Sequence, residues 1–101
     1  MIIDIKEHNG GYIAFFEGRL DTPAAVKVQQ EMIPLLENAD KEITLDCGKL
    51  EYISSSGLRL FLTLRKETVA KGGKVIIEGI NEEIKKVFVM TGFYNLFEIH
   101  E

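Results

Sequence analysis

Cysteine is nearly absent from this chain. Cys47 stands alone, so no internal disulfide can form. A reducing compartment, the cytoplasm, is the expected setting. Basic clusters are missing too. Lys plus Arg number 12 against 16 Asp plus Glu, a net charge of −4, and basic residues go no further than pairs such as Lys85-Lys86. That balance argues against a dedicated nucleic-acid binder. Long apolar runs are missing: the richest stretch, Leu58 to Leu64, is too short and too interrupted to cross a bilayer. The opening residues Met1 to Glu7 lack the basic start and apolar run of a signal peptide. Histidine is scarce, with only His8 and His100, one near each end. Neither has partners at metal-ligand spacing, so no zinc or iron site is expected.

Several catalytic motifs are absent as well. The glycines spell neither G-x-x-x-x-G-K-[ST] nor G-x-G-x-x-G. The serines do not form G-x-S-x-G, because Ile53 sits two before Ser55. A triad hydrolase would also need a histidine at a strand end, and neither is well placed. No catalytic residue and no cofactor is assigned.

What remains is an ordinary globular balance, 46% apolar and 28% charged over 101 residues. One small domain spanning residues 1–101 is expected. Ile3 and Ile5 alternate with Asp4 and Lys6, which predicts a strand with one wet face. Asn9-Gly10-Gly11 predicts a tight turn into a second strand, Tyr12 to Phe16. The nearly continuous apolar positions of that strand suggest burial on both faces. Gly18-Arg19-Leu20-Asp21 is expected to leave the sheet, with Thr22 as N-cap and Pro23 at the first helical position. Ala25, Val28, Met32, Leu35 and Leu36 recur at helical spacing. Pro34 predicts either a kink or an end near Met32 and a further turn through Asn38. A third strand follows at Glu42 to Cys47, then a serine-bearing loop and a second helix ending at Lys71-Gly72-Gly73. Lys74 to Glu78 reads as a fourth strand. Asn81 caps a third helix carrying Ile84, Val87, Phe88 and Thr91, which ends at Gly92. Leu96 to Ile99 is a last strand or a packed tail. The fold class is α/β, β-β-α-β-α-β-α with a possible final β. It is a small mixed sheet with an N-terminal hairpin and helices packed against it.

The stretch that organises the chain is Asp46-Cys47-Gly48-Lys49-Leu50-Glu51-Tyr52-Ile53-Ser54-Ser55-Ser56-Gly57-Leu58-Arg59. It places three serines between a strand and a helix, where α/β folds put functional groups. Unpaired N–H groups and the helix dipole favour negative charge there. A single serine before a helix is usually only its cap. Three in a row exceed what one cap needs, and pattern alone leaves cap and function evenly balanced. Asp21, after Gly18 and before Thr22-Pro23, reads as charging the start of the first helix. Cys47 reads as a small buried apolar residue.

This stretch closely resembles the signature of STAS domains, above all of stand-alone bacterial anti-sigma-factor antagonists. Gly18-Arg19-Leu20-Asp21, Lys71-Gly72-Gly73-Lys74-Val75 and Thr91-Gly92-Phe93-Tyr94-Asn95-Leu96-Phe97 resemble further family segments, in order along the chain. The resemblance implies a non-enzymatic switch in transcription regulation. The unmodified antagonist binds an anti-sigma factor that is also a serine kinase, and so frees the sigma factor. The kinase phosphorylates a serine at the start of the second helix, binding is lost, and a serine/threonine phosphatase restores it. The implied phosphoacceptor is Ser55. Many antagonists carry Asp where this chain has Ser54, and others in the wider family carry Ser. The implied partner surface combines Asp21, Ser54, Ser55, Ser56, Gly57 and Leu58, with Leu58 as an exposed apolar contact. Two other readings stand beside it. One is an unphosphorylated STAS subunit of a transporter or scaffold. The other is a small-molecule sensor, which a pocket between Asp21 and the serines would favour.

Overall fold

The computed structural model describes residues 1–100. Strand β1 (Ile2–His8) and strand β2 (Gly11–Leu20) form the N-terminal hairpin. Asn9 at φ 49° and Gly10 at φ 80° make its two-residue turn. Asn-Gly is favoured there because both central positions need positive φ. Helix α1 (Thr22–Glu31) follows, then helix α2 (Ile33–Glu37), separated at Met32. Pro34 has no N–H to give the preceding turn, so α1 stops and a new helix starts with proline in its first turn. Of the two outcomes expected at Pro34, this is the break rather than the kink.

Strand β3 (Glu42–Ile53) leads to helix α3 (Ser55–Lys71), which ends at Gly72 in the left-handed conformation. Strand β4 (Lys74–Glu78), helix α4 (Glu82–Thr91), a 3₁₀ turn at Phe93–Asn95 and strand β5 (Glu98–His100) complete the described residues. Asn81 caps α4, its side-chain oxygen accepting from the Ile84 N–H at 2.8 Å. The final strand is therefore formed, but it starts two residues later than Leu96.

The strands lie in the order β1-β2-β3-β4-β5. β1 pairs antiparallel with β2, and all later neighbours are parallel. Each parallel step moves the same way across the sheet. With right-handed crossovers, a one-way progression puts every connecting helix on the same face. Burial agrees with this. Paired residues share a face, and Ile3, Ile5, Ala14, Phe16, Ile43, Leu45, Val75 and Ile77 pack with residues of all four helices in one core. Ile13, Phe15 and Ile76 point the other way and stand outside that core.

The sheet is thus covered on one side, which corrects the expectation that Tyr12 to Phe16 is buried on both faces. Phe15 is 38% exposed, with the Lys6 ammonium 5.8 Å from its ring centre. A second correction concerns strand length. Gly18 to Leu20 does not leave the sheet, and β3 does not end at Cys47. The two strands stay paired to Leu20 and Ile53, through register shifts between Phe15 and Glu17 and between Gly18 and Arg19. Opposite these, β3 spends two extra residues. Its buried positions after the shift, Cys47, Leu50 and Ile53, fall every third residue rather than every second. Bulges break the period-two pattern in this way.

The one-sided core makes a direct prediction. Phe61 is fully buried and meets Phe16 edge-on, ring centres 5.3 Å apart. Phe61→Ala should cost about 3–5 kcal/mol. Phe15→Ala, on the open face, should cost no more than about 1 kcal/mol. Urea denaturation of both variants measures the contrast. Equal losses would mean that the second face is buried after all.

Candidate functional site

β2 and β3 run parallel, so Leu20 and Ile53, their last residues, lie side by side. The residues that follow them, Asp21 and Ser54, therefore start two neighbouring helices at one edge of the sheet. The Ser54 N–H donates to the Leu20 carbonyl at 2.9 Å, carrying the ladder one step past the strands. Both residues have extended backbone, with φ −84° and ψ −178° at Asp21 and φ −86° and ψ 170° at Ser54.

Each of them is an N-cap. The Asp21 Oδ1 accepts from the Ala24 N–H at 2.9 Å. Ser54 Oγ accepts from the Gly57 N–H at 3.2 Å. Thr22, expected as the first cap, is instead the first residue of α1, with Pro23 beside it. The carboxylate one residue earlier takes the cap because it reaches the same first-turn donors and adds a charge that suits the dipole.

The three serines have three different settings. Ser54 is 8% exposed and committed to its cap. Ser55, the first residue of α3, is exposed. Ser56 is half-buried in the wall of a groove between α1 and α3. At the first turn of α3, the N–H groups of Ser55 and Ser56 have no acceptor within the helix. The pattern of three is thereby divided: one serine serves as cap, and one presents a free hydroxyl at a positive helix end.

Gly57 explains the residue that follows. A Cβ there would come 2.7 Å from Leu20 Cγ and 2.9 Å from Ile53 Cγ1. Only a glycine lets the first turn of α3 sit this close on the ends of β2 and β3. Leu58 needs a correction. Expected as an exposed contact, it is 5% exposed and belongs to the core. Its side chain turns inward because Phe61 and Leu64, three and six residues on, define the buried face of α3.

Sequence reasoning missed two neighbours of the serines. Arg19 lies over the Tyr52 ring at 4.4 Å, a cation–π pair across β2 and β3. Its only sequence signal lay in extending both strands, which the bulges concealed. Arg59 lines the α1–α3 groove with Thr22, Val26, Gln29, Ser56, Leu60 and others, a groove of about 340 Å³. Thr22 and Ser56 contribute to it; Asp21 does not.

Other chemistry-bearing groups sit elsewhere. His8 is at the hairpin end beside Asn9, and His100 is held by Glu98 at 2.8 Å and Glu78 at 3.9 Å. Among the described residues, no cluster of His, Cys, Asp or Glu could hold a metal ion. No helix there is long and apolar enough to cross a membrane. Burial pushes the Cys47 thiol far above its ordinary pKa, and the neighbouring Asp46 charge adds to the effect.

Comparison with known proteins places this geometry. The STAS domain family matches residues 3–101. The anti-sigma-B factor antagonist of Bacillus subtilis is 26% identical over 98 residues, covering 96% of this chain and 88% of that protein. Among solved structures, TM1081 of Thermotoga maritima superposes with a TM-score of 0.89 at 20% identity, over 98% of this chain and 86% of its own. The Bacillus cell fate determinant SpoIIAA in its phosphorylated form gives 0.74 at 18% identity, over 99% and 92%. At these identities the two superpositions show a shared fold.

Two outcomes test the local reading. Gly57→Ala should destabilise the protein by about 1–3 kcal/mol, since backbone or core must shift to admit the methyl. Asp21→Ala should cost about 1 kcal/mol through loss of the cap. Thermal melting at matched pH measures both, and an unchanged Gly57→Ala would show that α3 does not sit as close as described. Cys47 should resist thiol reagents in the native protein at neutral pH and react fully in denaturant, because little thiolate forms while it is buried.

Proposed function

The chain belongs to the STAS domain family, and within it we propose an anti-sigma-factor antagonist whose binding is switched by phosphorylation of Ser55. The unmodified protein binds an anti-sigma factor that is a serine kinase. The kinase transfers the γ-phosphoryl group of ATP to Ser55 Oγ, the hydroxyl proton leaves, and ADP departs. The modified protein is released, and a serine/threonine phosphatase hydrolyses the phosphate ester. The cycle belongs in the cytoplasm, with the catalytic machinery on the partners and none on this chain.

One observation carries the reading: of the three serines, only Ser55 is exposed, and it opens a helix that Ser54 already caps. A phosphate adds about −1.5 to −2 charges at neutral pH. The helix terminus and free N–H groups accommodate that charge, so the domain tolerates it. A partner surface fitted to a neutral hydroxyl does not, because an unpaired charge buried in an interface is strongly unfavourable. The partner surface comprises Asp21 and the Ser54–Gly57 turn. Of these, Ser55 and Ser56 are available for direct contact; Ser54 and Gly57 hold the shape. The relatives' name as antagonists of anti-sigma factors supports the partner class.

The test is incubation with ATP, Mg²⁺ and the serine-kinase anti-sigma factor of the same organism, followed by phosphopeptide mapping and calorimetry. Ser55→Ala should abolish phosphorylation and keep binding. Ser55→Glu should weaken binding at least about tenfold, or ~1.4 kcal/mol, without lowering the melting temperature appreciably. Phosphate found only on Ser54 or Ser56 would overturn the assignment.

A further inference from the structure

The α1–α3 groove has one cation in its wall, Arg59. Arg59 follows Ser55 by four residues on α3, so the two stand one above the other on one face of the helix. Both are exposed. Side chains on a helix lean toward its N-terminus, and Arg59 is therefore carried back over the first turn. There it shares the groove wall with Ser56, Thr22 and Val26. Among the described residues Arg59 has neither an ion pair nor a hydrogen bond. The other cation at this edge, Arg19, is occupied by Tyr52.

We propose that Arg59 is the counter-charge of the switch: it pairs with the phosphate on Ser55 and leaves the groove wall when it does so. The proposal rests on Ser55 as the phosphoacceptor and adds the residue that reads the modification inside the protein. The order is the favourable one, an acidic group N-terminal to a basic one at a spacing of four. A guanidinium can meet two phosphate oxygens at once, which a lone ammonium cannot. Phosphorylation then changes two features that a partner meets: the charge at Ser55 and the only cation lining the groove beside it. Arg59 acts here as a positioning residue, not a catalytic one. The carboxylate that caps the adjoining helix is Asp21, bound to the Ala24 N–H. It is the same in every variant below.

The experiment needs no kinase. Phosphoserine is incorporated at position 55 by genetic encoding, and the second ionisation of the phosphate is followed by ³¹P NMR titration at low salt. A nearby cation favours the dianion and lowers this ionisation, which lies ordinarily near pH 6. Arg59→Gln should therefore move the midpoint to higher pH, changing the ionisation constant by a factor of about 1.4 to 2.3. Arg59→Lys should keep part of the effect, and Arg19→Gln should leave the titration where it was. Unmodified Arg59→Gln should melt like the parent, since the side chain is exposed and unpaired. An Arg59→Gln titration that superposes on the parent overturns the proposal, as does a shift produced by Arg19→Gln alone. Failure of the kinase to modify Ser55 would overturn the functional reading instead, and would leave this titration unaffected.

Discussion

The arrangement at this sheet edge depends on how closely α3 sits on the ends of two strands. Ser54 is tied twice. Its N–H continues the ladder to the Leu20 carbonyl, and its hydroxyl caps the Gly57 N–H. Gly57 in turn lies against Leu20 and Ile53 with no room for a Cβ. Helix, strands and cap are therefore fixed to one another within a single turn of chain. Because Leu58 and Phe61 enter the core from that same turn, the rotation of α3 about its axis is set as well. Ser55 is outside because Gly57 and Leu58 are inside.

The topology supplies the second constraint. A sheet that advances one strand at a time in one direction has no point where its order reverses, and such reversal points are where doubly wound folds open a crevice for ligands. Here the parallel strands instead bring the starts of α1 and α3 side by side, with their dipoles directed to the same edge. The Asp21 carboxylate caps one of these helix starts and the Ser54 hydroxyl the other. The same one-way order leaves the outer face of the sheet, with Ile2, Phe15 and the Lys6 side chain, without a helix.

The energetics of the proposed switch follow from this separation. Ser55 is exposed and lies outside the core that stabilises the domain, so charge added there would disturb little of what holds the fold. An interface formed with the same residues would have no such reserve, because affinity is a small difference between large terms. Losing a few kcal/mol at one buried contact would then release a complex while the protein stays folded.

By itself the sequence determined the elements and the family. The Asn9-Gly10 turn, an interruption at Pro34, the Asn81 cap and the Gly72 and Gly92 stops are local chemistry, set by residues within a few positions of each other, and they were legible as such; that the interruption is a break and not a kink was not. So was the serine-rich start of α3, and its resemblance to the STAS signature. The tertiary structure decided what depends on distant partners. Register shifts against β2 carried β3 on to Ile53, where the period-two signal had ended at Cys47. The direction of strand order left Phe15 on an open face. The close seat of Gly57 on Leu20 and Ile53, with Leu58, Phe61 and Leu64 on the buried face of α3, turned Leu58 inward and sorted three chemically identical serines into a cap, an exposed hydroxyl and a groove wall. Identical side chains carry no local signal that distinguishes them; only the surface each one meets after folding does.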